Sequence, residues 1–269
     1  VRDPAFGTDG AHLYLGSGDG DWWRIHIASG KVEELAPFLF GADSVMYSRA
    51  YLMPDGKLLF TKVAGGNRGL YVYDPEADSW SILTAWTDLG IVDNDVRNTV
   101  FAHHNDKLWG GADDKWFVFD YTNVTLNTLA AKPTTSYLKG IITASEDGNT
   151  IYFGYTLLEN DDGIVGYPAQ FYKYDVQTDA WSSLSIIVSP YLTLGGSVAY
   201  PSALGWIGDK LLVYVPSISF PECGCLYLPA LAIYDATNDK WYFLTQFGGV
   251  HGADDQGIAC MVGDYIVIG

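Results

Sequence analysis

The chain has 269 residues, 48% of them apolar or aromatic, and its 32 Asp and Glu against 15 Lys and Arg give a formal net charge of −17. That balance argues against nucleic acid and anionic membrane surfaces as partners, because both need basic patches, and leaves cations, basic partners and neutral sugars. No apolar run reaches the length needed to span a membrane, and the start at Val1-Arg2 without Met makes the lack of a visible signal peptide uninformative.

In chain order the residues alternate between two kinds of hairpin. The first kind places Asp-Gly, Asn-Asp or Gly-Asp ahead of an apolar strand, which is a tight-turn signature. It occurs at Thr8 to Gly16 (TDGAHLYLG), Pro54 to Lys62 (PDGKLLFTK), His104 to Gly111 (HNDKLWGG), Glu146 to Gly154 (EDGNTIYFG), Ile207 to Val215 (IGDKLLVYV) and Val262 to Gly269 (VGDYIVIG). The second kind is an apolar run, an aromatic-Asp pair, a polar turn, then Trp or Leu and a final Leu. Its copies are Leu70 to Leu83 (LYVYDPEADSWSIL), Trp116 to Leu129 (WFVFDYTNVTLNTL), Phe171 to Leu184 (FYKYDVQTDAWSSL) and Leu231 to Leu244 (LAIYDATNDKWYFL). A worn copy, Trp22 to Leu35 (WWRIHIASGKVEEL), has His26 in place of Asp and Val32 in place of Trp. Asp, Asn and Thr side chains close such turns by bonding nearby backbone groups, and the Trp opens the next strand with a large apolar plate.

Strand, tight turn, strand, variable connection, strand, tight turn, strand, repeated every ~40–60 residues, describes a propeller blade. The expected fold class is therefore all-β: a β-propeller of four-stranded antiparallel blades, forming one domain over residues 1–269. Five blades are whole, at about 1–35, 36–83, 84–129, 130–184 and 185–244. Residues 245–269 supply only part of a sixth, with strands at Gln256 to Met261 and at the chain end. Because a propeller closes its ring to protect terminal edges, the expectation is a longer parent chain with at least six blades.

The run Tyr73-Asp74-Pro75 through Trp80 resembles the third-to-fourth-strand motif of Kelch repeats, and Gly65-Gly66 and Gly110-Gly111 resemble the double glycine that ends the second strand in that family. The resemblance covers most of the chain. It departs from the pattern where the second strand ends in Phe153-Gly154-Tyr155 or Tyr214-Val215-Pro216 instead of a double glycine. A WD-repeat reading is weaker, since the Trp-Asp dipeptide of that family is missing.

Connections from the second to the third strand, and from the fourth strand to the next blade, are long and variable, and in an antiparallel blade both emerge at the same end. Rigid scaffolds usually carry binding on such loops. The longest are Thr156 to Pro168, Ser185 to Ser197 and Val215 to Pro229. Trp86, Tyr191 and Phe220 are expected there as exposed aromatics for stacking or hot-spot contacts, with His251, Asp161 and Asp162 as polar ligand-binding candidates. Asp-x-Asp spacing in Gly-rich loops suits calcium, and the candidates are Asp19 with Asp21, Asp93 with Asp95, and Asp254 with Asp255; solvated turn aspartates are the competing reading, and no full EF-hand pattern is present. Asp113 and Asp114 form a further acidic pair. Three cysteines, with Cys223 and Cys225 flanking Gly224 and Cys260 far away, leave open a short disulfide, a soft-metal pair or free thiols, and lack zinc-site spacing. The sequon Asn123-Val124-Thr125 lies in a turn.

The expected function is a non-catalytic interaction module, an acidic propeller presenting long loops to a protein or glycan, extracellularly or as part of a larger surface, filament or virion assembly. The rival is a Kelch-like propeller enzyme acting on carbohydrate, with His251 and nearby aspartates at the axial mouth. Kelch-like copper-radical oxidases need Tyr, His and a thioether-forming Cys, and the adjacent His103-His104 pair falls in or before a tight turn, away from the elaborated end. No Ser-His-Asp order, nucleophile elbow or phosphate loop is evident.

Overall fold

The computed structural model describes residues 5–16, 20–38, 50–62, 66–91, 101–111, 115–133, 141–155, 170–186, 202–215, 218–220, 225–227, 230–246, 259–262 and 265–268. Their regular secondary structure is almost entirely β-strand. Five four-stranded antiparallel sheets are present, each a propeller blade, as the repeats require.

Two compact units are present, 1–138 and 139–269. The first holds three blades. Blade 1 is β1 (Ala5–Thr8), β2 (His12–Gly16), β3 (Trp22–His26) and β4 (Val32–Leu35); blade 2 is β5 (Ala50–Leu52), β6 (Leu58–Lys62), β7 (Gly69–Asp74) and β8 (Ser79–Ala85); blade 3 is β9 (Ala102–His104), β10 (Lys107–Gly110), β11 (Phe117–Asp120) and β12 (Thr125–Thr128). The second unit holds blade 4, with β13 (Ile141–Ala144), β14 (Thr150–Tyr155), β15 (Gln170–Asp175) and β16 (Ala180–Ser183). Its blade 5 has β17 (Ser202–Ile207), β18 (Lys210–Val215), β21 (Ala230–Asp235) and β22 (Lys240–Gln246). A two-stranded sheet follows, β23 (Ala259–Val262) with β24 (Tyr265–Ile268).

At three junctions the first strands of successive sheets lie side by side: β1 beside β5, β13 beside β17, and β17 beside β23. At the first of these junctions a Cβ on Gly7 would lie 2.5 Å from the Ala50 Cβ, so the approach depends on glycine. Within each unit the blades pack face to face through aromatic plates. Trp22, Phe38, Phe60, Tyr71 and Tyr73 form one cluster, with Trp80 against it; Trp86, Phe101, Phe117 and Phe119 lie in a second; Tyr152, Phe171 and Tyr234 lie in a third, with Trp206 and Trp241 against it.

The repeated motif also has a polar role. Asp78, Asp179 and Asp239 all sit in the left-handed region, at φ of 47°, 51° and 50°. Each accepts the hydroxyl of the motif tyrosine five residues earlier: Tyr73 at 2.7 Å, Tyr174 at 2.6 Å and Tyr234 at 2.8 Å. In blades 2 and 5 the same carboxylate also takes an amide from the strand end of the preceding blade, Ala36 at 2.8 Å and Ser185 at 2.8 Å. The motif indole donates to the carbonyl of that same residue: Trp80 to Ala36 at 3.0 Å and Trp241 to Ser185 at 2.8 Å. In blades 2 and 5 tyrosine, aspartate and tryptophan thus clamp the turn to the preceding blade and satisfy backbone groups a blade end would otherwise leave unpaired. Blades 1 and 3 lack this device, with Ile25, Gly30 and Val32 at the three positions in blade 1 and Phe119, Val124 and Leu126 in blade 3.

The two glycine pairs differ. A Cβ on Gly110 would run into the Phe101 ring, and Gly111, at φ 145°, passes against the Lys115 carbonyl. A Cβ on Gly66 would meet nothing within 4 Å.

Candidate functional site

Every described turn between first and second strands, or between third and fourth, spans two to five residues. At the opposite blade ends the connections are mostly longer, and blade 5 bears an inserted hairpin between β18 and β21, formed by β19 (Ile218–Phe220) and β20 (Cys225–Tyr227). The stretch Val215 to Pro229, expected as a loop, is therefore partly a two-stranded ribbon. Its signal was present in the alternation Ser217-Ile218-Ser219-Phe220 and the turn residues Pro221 to Gly224. Phe220 ends β19 opposite Cys225.

Trp86 requires a correction. It was expected as an exposed loop aromatic, but its side chain is 2% exposed. A 3-10 turn over Trp86–Leu89, stopped by Gly90 at φ 73°, folds the indole inward. There it stacks on Phe101 with centroids 5.6 Å apart and donates Nε1–H to the Lys62 carbonyl at 2.9 Å. Its large apolar area and satisfied donor make it a core plate.

Among the metal candidates, Asp21 is exposed, one residue before β3. Asp19, Asp93, Asp95, Asp254 and Asp255 lie outside the described residues, as do Asp161, Asp162, Tyr191 and His251 and the whole stretch Thr156 to Pro168. Of Ser185 to Ser197, only Ser185 and Ile186 are described. Among the described residues no group of three or more His, Cys, Asp or Glu side chains is arranged to hold a metal ion.

The densest described cluster of titratable groups lies elsewhere, at the short-turn end of blade 1. Asp9 closes the β1–β2 turn, accepting the amides of Ala11 at 2.9 Å and His12 at 2.7 Å on Oδ1. Its Oδ2 lies 2.9 Å from His12 Nδ1 and accepts the Tyr14 hydroxyl at 3.0 Å. His12 Nε2 lies 3.1 Å from His26 Nδ1, and His26 Nε2 lies 3.2 Å from Glu33 Oε2. Glu33 also accepts from Arg24 Nε at 2.9 Å and Lys31 Nζ at 2.6 Å.

Desolvation works to raise the Asp9 pKa, but the His12 side chain, then the His12 and Ala11 amides and Tyr14, hold it below the usual carboxylate value. Hydrogen bonds from Lys31 and then Arg24, with His26 close by, bring Glu33 down to about 2. Burial, then its bond to Asp9, pushes the Tyr14 phenol up to about 12. Both carboxylates are therefore ionised at neutral pH.

The sequence pointed to this cluster only through His26, the break in the repeat. In blades 3 and 5 the corresponding cross-strand pairs are Lys107 with Asp120 and Lys210 with Asp235; in blade 1 the pair is His12 with His26. Lys210 Nζ lies 2.9 Å from Asp235, so an ordinary ion pair has become two imidazoles.

No family model and no curated protein matches the chain. Solved structures do. A fungal alcohol oxidase of the AA5 family, in complex with copper, aligns with TM-score 0.64 and 13% identity over 96% of this chain; the chain spans 56% of that protein. YjhT aligns with TM-score 0.67 and 12% identity over 100% of this chain and 97% of its own. At such identities the likeness is one of fold. The chain is a β-propeller protein.

Proposed function

We propose that the chain is a non-catalytic interaction module, a divergent Kelch-like propeller that presents its long blade connections to a protein or glycan. The observation that carries this reading is the asymmetry between blade ends. One end of every described blade is trimmed to short turns, where carboxylates close turns and, in blades 2 and 5, clamp neighbouring blades. The other end of blade 5 carries the inserted ribbon β19–β20. The Kelch kinship is supported by the Tyr73-Asp74 to Trp80 spacing, in which Asp74 closes the turn while Tyr73 and Trp80 take part in the clamp, and by the steric demand at Gly110-Gly111. The acidic charge of −17 favours a basic or neutral partner over nucleic acid.

The competing enzyme reading rests on His251, Asp254 and Asp255. One pair of experiments separates the two: a glycan array with affinity capture, and a turnover screen on simple sugars, both using the whole chain. Specific capture of a glycan or protein without turnover is the expected result. Sugar turnover with no captured ligand overturns the proposal.

A further inference from the structure

The blade 1 cluster contains one contact more than its hydrogens can serve. Ionised Asp9 only accepts, so His12 Nδ1 carries the hydrogen of their 2.9 Å contact. Neutral His12 therefore turns a bare Nε2 towards His26 Nδ1, 3.1 Å away. If His26 carries its hydrogen on Nδ1, it serves that contact but turns a bare Nε2 towards ionised Glu33 at 3.2 Å. If it carries the hydrogen on Nε2, two lone pairs face one another across 3.1 Å. His26 Nε2 is buried, and the alignment of its contact with Glu33 is not that of a hydrogen bond. Two neutral imidazoles thus leave one ring nitrogen bare beside a carboxylate or beside the other ring. A third proton or a metal ion at the rings would fill that gap, and the arrangement of the carboxylates favours the metal.

The same arrangement has the order of a ligated histidine pair. Histidines that bind a metal through one nitrogen generally present the other to a carboxylate, which fixes ring orientation and raises basicity. Here Asp9 stands behind His12 and Glu33 behind His26. Zn–N bonds of about 2.0–2.1 Å in tetrahedral geometry place two ligating nitrogens roughly 3.3 Å apart, so a shift of about 0.2 Å from the observed separation suffices. The rings meet edge to face, with centroids 4.4 Å apart and planes at 76°.

We propose that His12 Nε2 and His26 Nδ1 form a binding site for a divalent transition-metal ion that favours imidazole, such as Zn2+, with water completing its coordination and Asp9 and Glu33 as outer carboxylates. Imidazole donors select this class over calcium or magnesium, which take oxygen ligands. Glu33 is already engaged by Arg24 and Lys31, which keeps it in the outer role. The comparison between blades separates this chemistry from folding. Blade 5 holds the equivalent positions together with Lys210 and Asp235, so the blade itself does not need a histidine pair.

The test is calorimetric titration of the whole chain with Zn2+ in excess calcium, comparing wild type with the double variant His12→Lys/His26→Asp, which rebuilds the pair of blade 5. The wild type is expected to bind one equivalent more than the double variant, and Asp9→Asn is expected to weaken that equivalent about tenfold. Equal stoichiometry in wild type and double variant overturns the proposal. A readout independent of any variant is the imidazole nitrogen NMR spectrum of the wild type. Substoichiometric Zn2+ should move the His12 and His26 resonances before those of His103 and His104, and unmoved His12 and His26 signals overturn the site.

Discussion

Asp239 offers the sharpest test of how the blades are joined. Its carboxylate accepts the Ser185 amide at 2.8 and 3.1 Å, the Ser185 hydroxyl at 3.0 Å and the Tyr234 hydroxyl at 2.8 Å, from a backbone at φ 50°. Asp239→Ala leaves the hydroxyl of a fully buried Tyr234 and a Ser185 amide without their acceptor. Hydrogen bonds to charged groups contribute about 1.5–3 kcal/mol, and partial exposure of Asp239 places the two main ones near or below the lower end, about 2 kcal/mol together. Alanine in the left-handed region adds about 1 kcal/mol that Asp, Asn and Gly largely avoid. The expected losses are about 3 kcal/mol for Asp239→Ala, about 2 for Asp239→Gly and about 1 for Asp239→Asn, which keeps one acceptor oxygen. For a chain of this size each kcal/mol lowers Tm by about 2–4 °C, so the alanine variant should melt about 6–12 °C early. Thermal unfolding followed by circular dichroism, with Trp241 fluorescence reporting the junction, reads the series. Three variants within about 0.5 kcal/mol of wild type would refute the clamp, because that is the range of uninvolved surface substitutions.

Other outcomes follow from the same structure. Trp86→Ala should cost about 3–5 kcal/mol in chemical denaturation, as for a core aromatic, and a change within 0.5 kcal/mol would return Trp86 to the surface. Val124 occupies the left-handed turn position of blade 3 at φ 52°, a poor conformation for a β-branched residue; Val124→Gly should raise stability by about 1 kcal/mol, and a lower melting temperature would contradict this. Burial depresses the His103 pKa to about 4, so the folded chain holds it neutral while the unfolded chain protonates it near 6.5. Its contribution is therefore present above pH 6.5 and lost as pH falls through 4, and an NMR titration midpoint near 6.5 would contradict it. Asp147 and Asp235 shift the same way, both to about 2: Asp147 chiefly through its bond from Ser145, Asp235 chiefly through Asn238. What they add is present above pH 3.8 and lost towards pH 2, which two-step acid unfolding should show.

The blades were legible because alternation and turn chemistry are local, and a period-two pattern bounded by Asp-Gly has few other solutions. The Tyr-Asp to Trp spacing also read correctly as scaffold. The second aspartate of that motif was harder, since its partner amide lies 42 residues away in blade 2 and 54 in blade 5. Trp86 failed for a similar reason. A tryptophan after a strand in a polar stretch looks exposed until a 3-10 turn brings the Lys62 carbonyl beneath it. The blade 1 cluster was half visible: His26 broke the repeat, but only strand register sets it opposite His12, and only the fourth strand brings Glu33.

The most direct test of the account replaces residues 216–229 with a short Gly-Ser turn. Val215 and Ala230 already pair across β18 and β21, so blade 5 should close without the ribbon. The account predicts a melting temperature within about 2 °C of wild type and loss of whatever protein or glycan the intact chain captures. Undiminished capture by a folded, ribbon-free chain would contradict the claim that function resides at the elaborated end.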